Sequence, residues 1–143
     1  KDVSSEIRSP EVTNNVSRVS AIGEVRTYLV DMQREISRTS SVVMDGRDIG
    51  TTVLPDADVK IFMQASPAVR AERRLLEETA RGNNIDIAAL TAEIIRRDEI
   101  DSTREISPLV QAEDATLLDT SHLSIDEAEQ KIIQLVEDKL EVQ

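Results

Sequence analysis

Strand-like segments alternating with helical ones predict an α/β domain with a mainly parallel sheet. Three observations carry that reading. Apolar runs of strand length occupy 41–45, 58–65 and 115–120, each bounded by turn residues. Between and around them, apolar residues recur at helical spacing. The 143 residues are enough for one domain with a core, and 39% hydrophobic with 31% charged residues fits a folded chain.

Each element has its own signal. Val12, Val16 and Val19 recur at helical spacing after Pro10, which is tolerated near a helix start. A second helix is expected over 24–37 with Val25, Leu29, Met32 and Ile36 on one face, and Gly23 marks the break before it. Within 58–65, Val59, Ile61 and Met63 alternate with Lys60, Phe62 and Gln64. Ser66-Pro67 reads as an N-cap followed by proline at the first helical position, and Gly82 as that helix's stop. Asp86 caps a further helix, which Pro108 ends. Ser124 and Glu127 form a capping box with Leu123 as its staple. The expected buried stripe beyond them is Ile125, Ala128, Ile132, Leu135, Val136 and Leu140. Three strands make a narrow sheet for a parallel fold, so the sheet reads as incomplete.

Composition excludes several functions. Without cysteine there is no disulfide or thiolate chemistry, and one histidine, His122, cannot build a multi-histidine metal site. A net charge of -11 disfavours nucleic acid polymers and acidic membrane surfaces. Tyr28 and Phe62 are the only aromatics, so base-stacking platforms are lacking. No apolar run reaches membrane-spanning length and no signal peptide is visible, which fits a cytoplasmic protein. Yet 13 of the 17 basic residues are arginine, a choice that suits a local anion pocket.

Three constellations suit that chemistry. Asp45-Gly46-Arg47-Asp48-Ile49-Gly50-Thr51 follows the apolar Val42-Val43-Met44. Its glycines let the backbone bend, Arg47 offers a planar fork for phosphate, and Asp48 can accept from an exocyclic amine. Arg97, Asp101 and Arg104 fall on one helix face, where two arginines flank a carboxylate as a phosphorylated sugar requires. Arg70, Arg73 and Arg74 lie on the helix after Ser66-Pro67, and a mobile arginine-rich helix can close over a transferring phosphoryl group. The bland alternatives are a self-paired turn, a solvated ion-pair ladder and a charged surface helix. His122 beside Ser121 has no evident acid partner and reads as a loop residue.

Taken together, EVTNNVSRVSAIGEVR, VVMDGRDIGTTVLPDADVKIF, ASPAVRAERR, RRDEIDSTREISPL and LLDTSHLSIDEAEQKI resemble the bacterial cytidylate kinase (CMP kinase) family of P-loop nucleoside monophosphate kinases. These segments span 11–132, and D-G-R-D-[IM]-G-T followed by R-x-x-x-D-x-x-R is a specific combination. The resemblance implies transfer of the ATP γ-phosphoryl group to CMP or dCMP with Mg²⁺. It implies that Ser17, Arg26 and Asp48 read cytosine, Arg47 and Arg104 hold the acceptor phosphate, and Arg97 and Asp101 contact the ribose. Arg73 corresponds to the lid arginine that closes on the phosphoryl groups, and Asp45 helps to organise the magnesium-water shell.

The implied fold is a P-loop NTPase-like three-layer parallel sheet, truncated at its N-terminus, with helical monophosphate-binding and lid elements. Residues 1–40 correspond to the C-terminal part of the monophosphate-binding region and 41–66 to core strands with the DGRD turn. Residues 67–112 correspond to the lid helices and 113–143 to the last core strand and helix. The implied partners are CMP, dCMP and ATP, with no nucleic acid polymer and no membrane. The full-length family member is expected to be a monomer, whereas a truncated sheet leaves an edge open to self-association. The chain opens at Lys1, and G-x-x-x-x-G-K-[ST] occurs nowhere in it. The triphosphate cradle is therefore expected upstream, and this chain is expected to be inactive alone. Two rivals remain: a non-catalytic nucleotide-binding module, and a helical interaction domain whose arginine clusters are solvated.

Overall fold

The computed structural model describes residues 2–4 and 6–141. A short 3-10 turn, Glu6–Arg8, leads into α1, Pro10–Ser20, whose N-cap Ser9 accepts from the Val12 amide. Helix α2, Gly23–Thr39, follows after a break at Ala21 and Ile22. A π-helical turn, Ile49–Val53, precedes strand β1, Ile61–Gln64. Then come α3, Pro67–Ala80, and α4, Ile87–Thr103. Strand β2, Thr116–Asp119, and helix α5, Ile125–Glu141, close the order.

The two strands pair in parallel, Ile61 opposite Thr116 through Gln64 opposite Asp119. A parallel pair needs a long crossover, and α3 and α4 supply it by packing on each other. Helix α1 touches both α2 and α4, and α2 packs on the π-helical turn. The apolar residues fully inside are Val30, Val53, Ala71, Leu90 and Leu118.

Local caps behave as their sequences demand. Ser66 Oγ accepts from the Val69 amide and Asp86 Oδ2 from Ala89. Gly82 takes φ +84° after α3, a conformation that favours glycine. The Ser124 amide donates to Glu127 Oε2 while Ser124 Oγ accepts from the Glu127 amide, completing the capping box.

Two expectations are overturned. Residues 41–45 form no strand, and Val43 is fully exposed. A strand exists only through hydrogen bonds to a neighbour. Among the described residues β1 and β2 pair only with each other, and 41–45 pairs with neither. The sheet thus has two strands where three were expected. The α5 stripe is also only partly covered: Ala128, Ile132, Leu135 and Val136 are half-buried, while Ile125 and Leu140 face solvent. Two four-residue strands are too narrow to cover a 17-residue helix. The upper half of the α2 stripe, Met32 and Ile36, is exposed for a similar lack of cover.

Candidate functional site

The DGRD turn is built by its backbone. The amides of Thr52 and Val53 both donate to the Asp48 carbonyl, and the Leu54 amide donates to that of Ile49 at 2.7 Å. This wide turn places Asp48 at its start with the side chain inward. At Gly50 the Lys60 side chain lies close across the turn, 3.3 Å from where a Cβ would sit, so a larger residue there would have to displace it slightly. Lys60 Nζ is anchored by the Pro55 carbonyl and by both Asp114 carboxylate oxygens.

Asp48 and Asp101 are the two poles of the site. They are 4% and 2% exposed, which excludes a solvated ladder. Arg26, from α2, donates through Nη2 to Asp48 Oδ2. Arg47 Nε donates to Asp101 Oδ2 at 3.3 Å, and Arg97 Nε lies 3.7 Å from the same oxygen. Arg104 lies between the poles, with Nη2 3.9 Å from Asp48 Oδ1 and Nη1 3.9 Å from Asp101 Oδ1. The segment after α4 folds back to secure both residues. The Leu109 amide donates to the Asp101 carbonyl at 2.7 Å, and Arg104 Nε donates to the Ser107 carbonyl at 2.6 Å. Ser107 takes φ +52° to make that return.

Four arginines therefore surround two carboxylates, leaving two positive charges in excess within a strongly acidic chain. Arg97 registers the crowding. Burial pushes its guanidinium pKa down, the Arg47 and Arg74 charges push it further, and Asp101 opposes them. Several donors also lack acceptors. Arg26 Nε, Arg97 Nε and Arg104 Nη2 are buried without hydrogen bonds, and so is Arg74 Nε. Buried donors without partners are costly, so these arginines form a net-positive pocket whose hydrogen-bonding capacity is not all used within the described protein.

The structure brings together Arg26, Arg47, Asp48, Arg97, Asp101 and Arg104. Ser17 is buried on α1, whose helix touches α2 and α4, and its carbonyl accepts from Ser20 Oγ. Asp45 is exposed and has no hydrogen bond or ion pair with a described residue. Arg73 points elsewhere, to Thr120 Oγ1 and the carbonyls of Thr120 and Leu123. Its neighbour Arg74 instead lines a narrow gap with Leu90, Glu93 and Arg97. That gap adjoins a groove of about 400 Å³ bounded by Arg8, Arg74, Arg81, Asn83 and Leu90. The sequence grouped Arg74 with Arg70 and Arg73, and the resemblance favoured Arg73; Arg70 and Arg74 are four apart and share a face toward α4, where Arg70 pairs with Asp98. The described residues contain no cluster of three metal-ligating side chains.

The family model described as cytidylate kinase matches residues 1–138. The chain belongs to the cytidylate kinase family. A relative named cytidylate kinase from Leuconostoc mesenteroides is 55% identical over 139 residues, covering 97% of this chain and 62% of that protein. Cytidylate kinase from Lactiplantibacillus plantarum is 52% identical, covering 97% and 61%. Cytidylate kinase from Carboxydothermus hydrogenoformans is 48% identical over 142 residues, covering 99% and 64%. The chain thus spans about three fifths of the length of the curated relatives it matches. The small parallel sheet with its flanking helices is consistent with the P-loop kinase fold expected of this family. No helix among the described residues is long and apolar enough to cross a membrane.

Proposed function

We propose that the protein transfers the γ-phosphoryl group of ATP to CMP and dCMP, giving CDP and dCDP, and that this chain supplies the acceptor pocket. The observation that carries the reading is the pair of buried carboxylates ringed by arginines with unmade donors. An oxygen of the CMP phosphate attacks the γ-phosphorus while the bond to the ADP oxygen breaks. Such a step needs alignment and charge neutralisation more than a protein nucleophile.

Each residue then has a task. Arg47 and Arg104 hold the acceptor phosphate, and Arg97 and Asp101 hold the ribose end. Asp48, oriented by Arg26, accepts from the cytosine amine, and Ser17 on α1 serves an acceptor of the base. Uracil carries a carbonyl at that position and meets the carboxylate with repulsion, which gives a physical source for C over U. Arg73 must leave Thr120 and Leu123 to reach a phosphoryl group, whereas Arg74 already faces Arg97. Arg74 is accordingly the α3 arginine best placed to follow the transferring charge. Asp45 alone does not make a magnesium site; a role at the ion's water shell rests on the family motif. No phosphate-cradling glycine loop lies among these 143 residues, so CMP binding without turnover is expected of this chain on its own.

Calorimetric titration of the chain with CMP, dCMP, UMP and AMP tests the reading. Preferential binding of CMP and dCMP is expected. Equal affinity for UMP, or none for any nucleotide, removes the cytosine assignment. Sustained CMP-dependent ADP release by the chain alone removes the claim that it is inactive.

A further inference from the structure

Arg34 takes no part in the cluster, yet it holds the turn from which Asp48 projects. It lies on α2 two turns beyond Arg26 and is half-buried. Its Nε donates to the Val53 carbonyl at 2.9 Å and its Nη2 to the Thr52 carbonyl at 2.6 Å. Those residues send their own amides back to the Asp48 carbonyl, at 3.2 and 2.9 Å. One helix therefore grips the turn at both ends: Arg26 on the Asp48 carboxylate, Arg34 on the peptide units that close over the Asp48 carbonyl. Val53, between these grips, is 1% exposed, so the turn has little room to shift while they hold.

We infer that Arg34 is a positioning residue that fixes the Asp48 carboxylate for base selection. Its effect on selection rests on the cytidylate reading above; the clamp itself does not. A planar guanidinium can hold two adjacent carbonyls at once, whereas a lysine ammonium offers a compact point charge. Loosening the turn lets Asp48 follow Arg26 to other positions and should blunt discrimination between an amine and a carbonyl on the base.

The test compares Arg34→Gln and Arg34→Lys with Arg38→Gln, a control on the same helix whose exposed side chain pairs only with Glu35. The first readout needs no nucleotide: amide hydrogen exchange at Thr52, Val53 and Leu54. Faster exchange there in Arg34→Gln, without matching acceleration in α3 and α4, is expected. Unchanged exchange overturns the clamp, and uniform acceleration throughout the chain reduces it to general stability. The second readout is the ratio of CMP to UMP affinity. Arg34→Gln should weaken CMP about tenfold, in line with the loss of a charged hydrogen-bonding group, and UMP much less. Arg34→Lys should fall between it and the wild type. Equal weakening of both nucleotides overturns the positioning role. Absence of CMP binding by the wild-type chain overturns the cytidylate reading instead, and the exchange result still decides the clamp.

Discussion

The arginine–aspartate cluster and the sheet with α5 are organised in opposite ways. In the cluster, charged side chains are enclosed: Asp48, Asp101 and Arg104 are almost wholly buried. Around the sheet, apolar side chains are open: Met63 and Leu117 are half exposed and Ile125 is 85% exposed. Burying charge is costly unless each group is paired, and here three short segments supply the pairing. The turn brings Arg47 and Asp48, the end of α4 brings Arg97, Asp101 and Arg104, and α2 brings Arg26. Order at the site therefore comes from ionic and backbone contacts between neighbouring elements and owes little to a large apolar core.

The largest expected effect breaks that pairing. Asp101→Ala removes a buried carboxylate shared by Arg47, Arg97 and the buried Arg104, and should cost about 3–5 kcal/mol. Leu117→Ala removes a half-exposed side chain and should cost about 1 kcal/mol or less. Urea denaturation of the two variants measures the difference. Equal costs would mean that the sheet region is as well secured as the cluster.

A second variant separates stability from binding within the cluster. Arg47 is 41% exposed, and its contact with Asp101 is long at 3.3 Å. Arg47→Ala should change stability by about 1 kcal/mol or less, yet weaken CMP about tenfold or more through loss of a phosphate fork. Titration and denaturation on the same sample read both numbers. A large stability loss with unchanged affinity would make Arg47 a structural partner of Asp101.

The α4 return offers a smaller backbone test. Ser107 holds φ +52° so that its carbonyl can meet Arg104. Ser107→Val should destabilise by about 1–2 kcal/mol, because a branched side chain is strained in that region. Ser107→Gly should be close to neutral in the same denaturation measurement. Matching costs for both would show that the Ser107 side chain matters more than its backbone.

These contrasts show what the sequence made legible. Features whose physics is local were readable: the caps at Ser66, Asp86 and Ser124, the stop at Gly82, and the pairing of Arg97 with Asp101 one turn on. Arg104 also reaches Asp101, but as the extended residue just past α4 rather than from the helix face expected for it. Direction in space was harder. Arg73 and Arg74 are adjacent, so they point about 100° apart on a helix, and only packing against α4 and the end of β2 reveals which meets Arg97. Arg34 shows no motif because its partners are carbonyls, which carry no sequence signal. The strand expected at 41–45 failed for a related reason, since an apolar run records a tendency while a ladder needs a second strand.

The smallest expected effect lies in the open region and depends on pH. The Ser124 amide, then its hydroxyl, hydrogen-bonds Glu127 and holds its carboxyl below the ordinary 4.5. A lowered folded-state value means that the capping box stabilises α5 fully above the ordinary carboxylate range. That stabilisation is lost as pH falls through the lowered value. The group is exposed, so solvent and salt screen the effect, and it should appear as fraying of the first turn of α5 before the chain as a whole unfolds. An NMR titration should show the Ser124 amide following the Glu127 carboxyl. Glu127→Gln retains an acceptor for that amide and should flatten the pH response. Glu127→Ala should fray the turn at every pH. An unaltered Ser124 titration in Glu127→Gln would shift attention to Asp119, whose carboxylate accepts from the Ser121 amide and is likewise held low. The origin of the acid response would then lie at the end of β2, and the open region would depend on its strand junction more than on its helix cap.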